Sequence, residues 1–391
     1  RRAGSGRGPP GRGADPFSVG QESEVADGAV DGAFGGGNDQ VFEVAGAVLR
    51  GVAYVATMGA AGYVIVAGLL RRRRDPPPVG RLTTAAALVG LVSVLALVVI
   101  QGALATGLGL TAVTKPGVLS LAVSDGIGLA TFVTAMGLLA LVITAGLPFE
   151  ETVRKVAIVG AVVAPVGFVL AGHTRSMSPV VLGYAADLVH VVAATVWFGG
   201  LIGLFAVARW RRRDDDPFGA AEAVARFSGW AAWAAGAVVV AGVVLAAIEV
   251  GGIEAATTTT YGRLLIVKVA LVLVVVALAA WNRFRLLPRV AAASVDDPPA
   301  DDFGGWTRLL TVVRAEAVLL VVVLVVTGVL AGVTPAKDAV ELGAYSTTAP
   351  LAGGSVDITV DPAQPGRNDI HVYLLDADGS PDDSYDTPLL R

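Results

Sequence analysis

Cysteine is absent from the 391 residues. That excludes disulfides, zinc–thiolate sites, iron–sulfur clusters and thiol nucleophiles. Histidine and methionine are scarce, with three of each. They are His173, His190 and His371, and Met58, Met136 and Met177. Any metal-binding chemistry must draw on these six, on carboxylates or on backbone carbonyls. Charge is also sparse, at 16% of residues, whereas 54% are apolar. The net charge of −4 gives no reason to expect a nucleic-acid partner.

What is present is a succession of apolar blocks about twenty residues long. That length matches a hydrocarbon core about 30 Å thick. The pattern predicts an all-α polytopic membrane protein with about eight transmembrane helices. The spans run roughly over 44–70, 82–104, 126–147, 153–172, 180–208, 227–249, 262–286 and 306–333. The third is the weakest, because Ser124, Asp125 and Gly126 blur its start.

Lys and Arg in the short connections set the orientation. RRRRDPPPVGR, EETVRK, RWRRR and NRFRLLPR follow the first, third, fifth and seventh spans. The alternate connections are poor in basic residues. The basic loops are therefore expected in the cytoplasm, with both termini outside a cytoplasmic membrane.

Residues 1–43 open on a Gly/Pro/Arg run followed by a Gly/Asp-rich run. Neither can bury a core, so a disordered extracytoplasmic tail is expected there. Residues 44–335 form the membrane domain. Beyond Pro335 the stretches SVDITVDP and NDIHVYLLDADGSP alternate apolar and polar residues. They predict an extracytoplasmic β-rich segment over 336–391, with about two strands and an incomplete look.

Ionisable groups inside a membrane are functional candidates by default. In GYAADLVHVVAATVWFGG, Asp187 and His190 lie three residues apart and share a helix face. A carboxylate beside an imidazole fixes its tautomer and raises its basicity, the usual support behind a metal-bound histidine. The bland alternative is a histidine that only holds two helices together. His173 and Met177, in GHTRSM, sit at the outer end of the fourth span. Imidazole with thioether suits Cu(I) better than hard cations. Met58 and Met136 lie within the first and third spans, where core filling is the commoner role of a methionine. Lys268 enters the seventh span; it either snorkels outward or pairs with Asp187 or Glu249. Glu316 lies near mid-membrane and needs a partner. Asn282 closes the seventh span, and Trp197, with the glycines after it, reads first as packing.

Four stretches occur in order: DLVHVVAATVWFGGLIGL, ARFSGWA, TTYGRLLIVKVALVLVVVALAAWNRFRLLP and VRAEAVLL. On these the chain resembles the copper resistance protein D family, CopD/PcoD, with the related YcnJ-type proteins. The resemblance covers about 165–335 and, more weakly, the helices from 44. It implies a multi-pass membrane protein that handles copper and moves it into the cell. It also implies a CopC-like extracytoplasmic copper carrier as partner or fused domain. Family motif positions fall on Asp187, His190, Trp197, Tyr261, Gly262, Lys268, Asn282 and Glu316. Two features depart from the family's pattern: residues 1–43 read as a low-complexity tail and not as a CopC-like domain, and methionines are few.

The expected activity is copper uptake through an outer-side capture site, without catalysis. A membrane protein carrying b-type haem is the alternative, since haem needs axial ligands such as His on facing helices. A structural or sensory membrane subunit is a third reading.

Overall fold

The computed structural model describes residues 38–72, 75–106, 127–171, 179–289, 303–341, 345–351, 354–361 and 369–376. The chain folds as a helical bundle followed by a small antiparallel sheet. Long helices are α1 (Asn38–Leu70), α2 (Arg81–Thr106), α3 (Ile127–Ile143) and α4 (Glu151–Ala171). They continue with α5 (Val180–Arg213), α6 (Pro217–Val250), α8 (Thr260–Trp281) and α9 (Phe303–Leu330). Short helices α7 (Ile253–Thr258) and α10 (Ala336–Glu341) join them.

Among the described residues, seven of these helices are long and apolar enough to cross a membrane. The eighth expected span, α3, is apolar but only 17 residues long. Other ends differ from expectation for local reasons. Helix α1 begins at Asn38, where residues 38–43 were expected in the tail. Helix α6 begins ten residues before its apolar run. Asp216 caps it, accepting from Gly219 N at 2.8 Å, and Pro217 takes the first turn. Charged turns that lie beyond a hydrocarbon core are still helix.

Helix α1 sits at the centre, packed on α2, α4, α5 and α9. Its crossing with α5 is close because both helices present glycine. A Cβ on Gly199 would meet Met58 O at 2.5 Å and Gly62 Cα at 2.6 Å. The largest apolar core joins α1, α5, α6 and α9 through Trp197, Phe198, Phe227 and Leu309. A second core, around Leu138, Leu141 and Ala161, joins α3 and α4 to α1 and α2.

The basic connections meet at one end of the bundle. Arg211, only 3% exposed, donates to Asp75 Oδ2 at 2.7 Å and to Asp75 Oδ1 at 3.2 Å. It also donates to the carbonyls of Leu70 at 2.6 Å and Gly219 at 2.8 Å. One guanidinium thus ties the end of α1 to the α5–α6 corner, and its fork geometry suits several acceptors. Arg72 adds bonds to Asp216 at 3.0 Å and to Glu222. Burial pushes the Asp75 carboxyl up. The Arg211 hydrogen bond, the Arg72 N–H and both guanidinium charges outweigh that and hold it below the usual carboxylate range.

Among the described residues the C-terminal unit has three strands rather than about two: β1 (Tyr345–Leu351), β2 (Gly354–Asp361) and β3 (Asp369–Asp376), in the order β1–β2–β3. Strand β1, YSTTAPL, is rich in Ser, Thr and Pro and lacks clean alternation, which hid it in the sequence. Thr347 pairs with Ile358, and Ile358 with Val372. His371 lies on this unit, stacked 6.4 Å from the ring of Tyr373.

Candidate metal-handling cavity

A cavity of about 350 Å³ opens among α1, α5, α6, α8 and α9. It lies toward the end of the bundle opposite the basic connections. Helix α5 supplies Asp187, His190, Val191, Ala194, Trp197 and Phe198. Their spacing of three and four residues is one face of a helix. Asp187 and His190 therefore do share a face, and it faces the cavity.

The partner of His190 is not Asp187. His190 Nδ1 lies 3.1 Å from the carbonyl oxygen of Val238 on α6. A carbonyl can only accept, so Nδ1 carries the proton and Nε2 keeps its lone pair. The main chain of α6 thus fixes the tautomer that the sequence had assigned to Asp187. Gly242, one turn on, leaves room for the ring: a Cβ there would come to 3.4 Å from His190 Cε1.

Met58, 5% exposed, reaches the same cavity from α1. Lys268 reaches it from α8, and Glu249 from the end of α6. Lys268 interacts electrostatically with both Asp187 and Glu249. The hydroxyl of Tyr261 donates to Glu249. Glu249 is the residue that sequence reading valued too little. Its place at the last turn of α6 reads as a helix end, yet it lines the cavity and accepts from Tyr261 there. Trp197 also lines the cavity, 1% exposed, and its indole N–H has no hydrogen-bond partner.

The other expected residues fall elsewhere. Met136 is 50% exposed on α3, away from the cavity. Glu316 and Asn282 meet each other instead, Asn282 Nδ2 donating to Glu316 Oε1 at 3.2 Å. His173 and Met177 lie outside the described residues.

The imidazole nitrogen and the thioether suit a soft or borderline cation, whereas the two carboxylates are hard donors. They are spread over the cavity walls. Among the described residues, no three of the His, Asp and Glu side chains converge as an enclosing metal site.

Residues 41–184 match the family model of the copper resistance protein D-like N-terminal domain. Residues 221–330 match that of copper resistance protein D itself. The chain belongs to the copper resistance protein D family. Both matched regions contribute cavity walls: Met58 comes from the first, and Val238, Glu249, Tyr261 and Lys268 from the second. His190 lies in the stretch between them.

The chain is similar to the copper transport protein CutJ of Bacillus subtilis (strain 168), at 27% identity over 210 residues. That alignment takes in 54% of this chain and 36% of CutJ. It is also similar to the inner membrane protein YebZ of Escherichia coli (strain K12), at 32% identity over 144 residues. There the cover is 36% of this chain and 46% of YebZ. The matched segments thus span less than half of either relative. No solved structure matches the chain.

Proposed function

We propose that the protein moves copper across a cytoplasmic membrane, inward, with the cavity as its outer capture site. The observation that carries this reading is that His190 and Met58 line one cavity within the helical bundle of a copper resistance protein D family member. The two come from helices far apart in sequence, and both are soft-metal ligands.

Each lining group has a role in this reading. His190 Nε2 and Met58 Sδ contact the ion, and Cu(I) suits that pair better than Cu(II). Asp187 and Glu249 offset the cost of bringing a cation out of water. Lys268 balances their charge while the cavity holds no ion. The basic loops face the cytoplasm by the positive-inside rule, so the cavity opens outward. A CopC-like carrier would deliver copper to that face.

Proteoliposomes test the reading. Protein reconstituted with the basic loops inside should load a lumenal Cu(I) chelator when Cu(I) is supplied outside. Protein with both Asp187→Asn and His190→Ala should not. Equal loading by both, or none by the wild type, would overturn it.

A further inference from the structure

Glu316 is 2% exposed, in the middle of α9. It lies on the stripe that lines the cavity: Leu320, Val323, Leu324, Thr327 and Leu330 follow at helical spacing. Glu316 itself does not reach the cavity. It lies one turn, about 6 Å, beyond Leu320, toward the basic end.

Its hydrogen-bond partner is Asn282, through Nδ2. The other amide atom, Asn282 Oδ1, is buried and has no hydrogen-bond partner. Asn282 opens a π-helical turn, Asn282–Leu286, in which Leu287 N–H closes on the Asn282 carbonyl. Such turns recur at functional sites. Among the described residues, no cationic side chain forms an ion pair with Glu316. On the π-turn, Arg283 is held on Ser228 O and Oγ at 2.6 and 2.9 Å. On α5, Arg212 lies over Trp306. On α1, Arg50 donates to Gly328 O. On α8, Lys268 faces the cavity. On α9 itself, Arg314 lies over Phe205.

We propose that Glu316 and Asn282 form a second, inner site that binds a proton. A hard metal cation needs about six oxygens, more than these two side chains bring, and a soft one prefers other donors. A proton needs one donor and one acceptor. The amide can serve both states of the carboxyl. The observed contact, Nδ2 donating to Oε1 with Oδ1 unpaired, suits the ionised carboxylate. When the carboxylate takes up one proton, a half-turn of the amide brings Oδ1 to the same contact. Oδ1 then accepts from the new Glu316 O–H. Protonation and the amide turn are one event, and the proton exchanges with water. The site deepens the transport reading by supplying a coupling ion, and it rests on that reading only for this consequence.

Infrared difference spectroscopy of the purified full chain, titrated with acid, tests the site without any transport. The wild type should gain a carboxylic-acid C=O band that Glu316→Gln lacks. Asn282→Ala should shift that band, since its acceptor is gone. Glu316→Asp should keep a displaced band, which preserves the test if the glutamine variant does not fold. Identical difference spectra for wild type and Glu316→Gln, or an unshifted band in Asn282→Ala, would overturn the proposal. Cu(I) affinity of the outer cavity, measured on the same samples, should change less than twofold in Glu316→Gln. A loss of Cu(I) affinity there, with the band present in the wild type and absent from Glu316→Gln, would count against the transport reading and leave the proton site standing.

Discussion

His190 and Val238 are joined by a hydrogen bond between an imidazole Nδ1 and a main-chain carbonyl, 3.1 Å long, across the α5–α6 contact. The acceptor is backbone, so no side-chain substitution removes it directly. The ring can still be displaced through its neighbour. Gly242→Ala adds a methyl at ordinary contact distance, 3.4 Å, and should leave metal affinity unchanged. Gly242→Leu should push the ring aside and weaken Cu(I) binding about tenfold, ~1.4 kcal/mol. Equal affinity in both variants, measured by chelator competition, would show that ring position is irrelevant.

Gly199 fixes how closely α5 approaches α1, and so where Met58 stands relative to His190. Its Cβ would strike main-chain atoms, which cannot swing away. Gly199→Ala should cost more than the ~1–3 kcal/mol typical of overpacking. It should lower the melting temperature in detergent and weaken metal binding together. A variant as stable as wild type would mean that the crossing is looser than this.

The Arg211 contacts form the clearest structural lock in the molecule. Arg211→Ala leaves Asp75 buried without its partner, a loss of ~3–5 kcal/mol for such pairs. Arg211→Lys should recover little, because an ammonium cannot match the four fixed acceptors. Thermal unfolding of the three proteins decides this.

The same pair gives a pH dependence with a definite sign. The Asp75 carboxyl sits below its ordinary range in the folded protein. Its stabilisation is therefore complete above the unfolded value, about 3.9, and is lost as pH falls through the folded one. Wild type should lose stability below about pH 4, where Asp75→Asn should be flatter. Parallel pH profiles for the two would remove Asp75 as the cause.

Much of the bundle was legible because bilayer length and helix rise fix the size of an apolar span. The stripe carrying Asp187 and His190 was legible for the same kind of reason: spacing along a helix is local. What joins distant helices was not. Val238 is one apolar residue among many in α6, and only tertiary packing brings its carbonyl to His190. Glu249 gains its partner from Tyr261, which follows a turn and a short helix. Met58 and Met136 looked alike in sequence, each a lone thioether in an apolar run. Helix rotation sends one into the cavity and leaves the other half-exposed. Strand β1 was missed because Ser, Thr and Pro do not alternate with large apolar residues, although its partner β2 does.

The most direct test is Cu(I) affinity of the purified protein, compared with His190→Ala and Met58→Leu. Leucine keeps the volume of methionine, so packing should change by less than ~1.5 kcal/mol. Loss of at least about tenfold in affinity in each variant, with melting temperatures held, is expected if both side chains contact the ion. Wild-type affinity in His190→Ala would contradict a metal-handling cavity at this place.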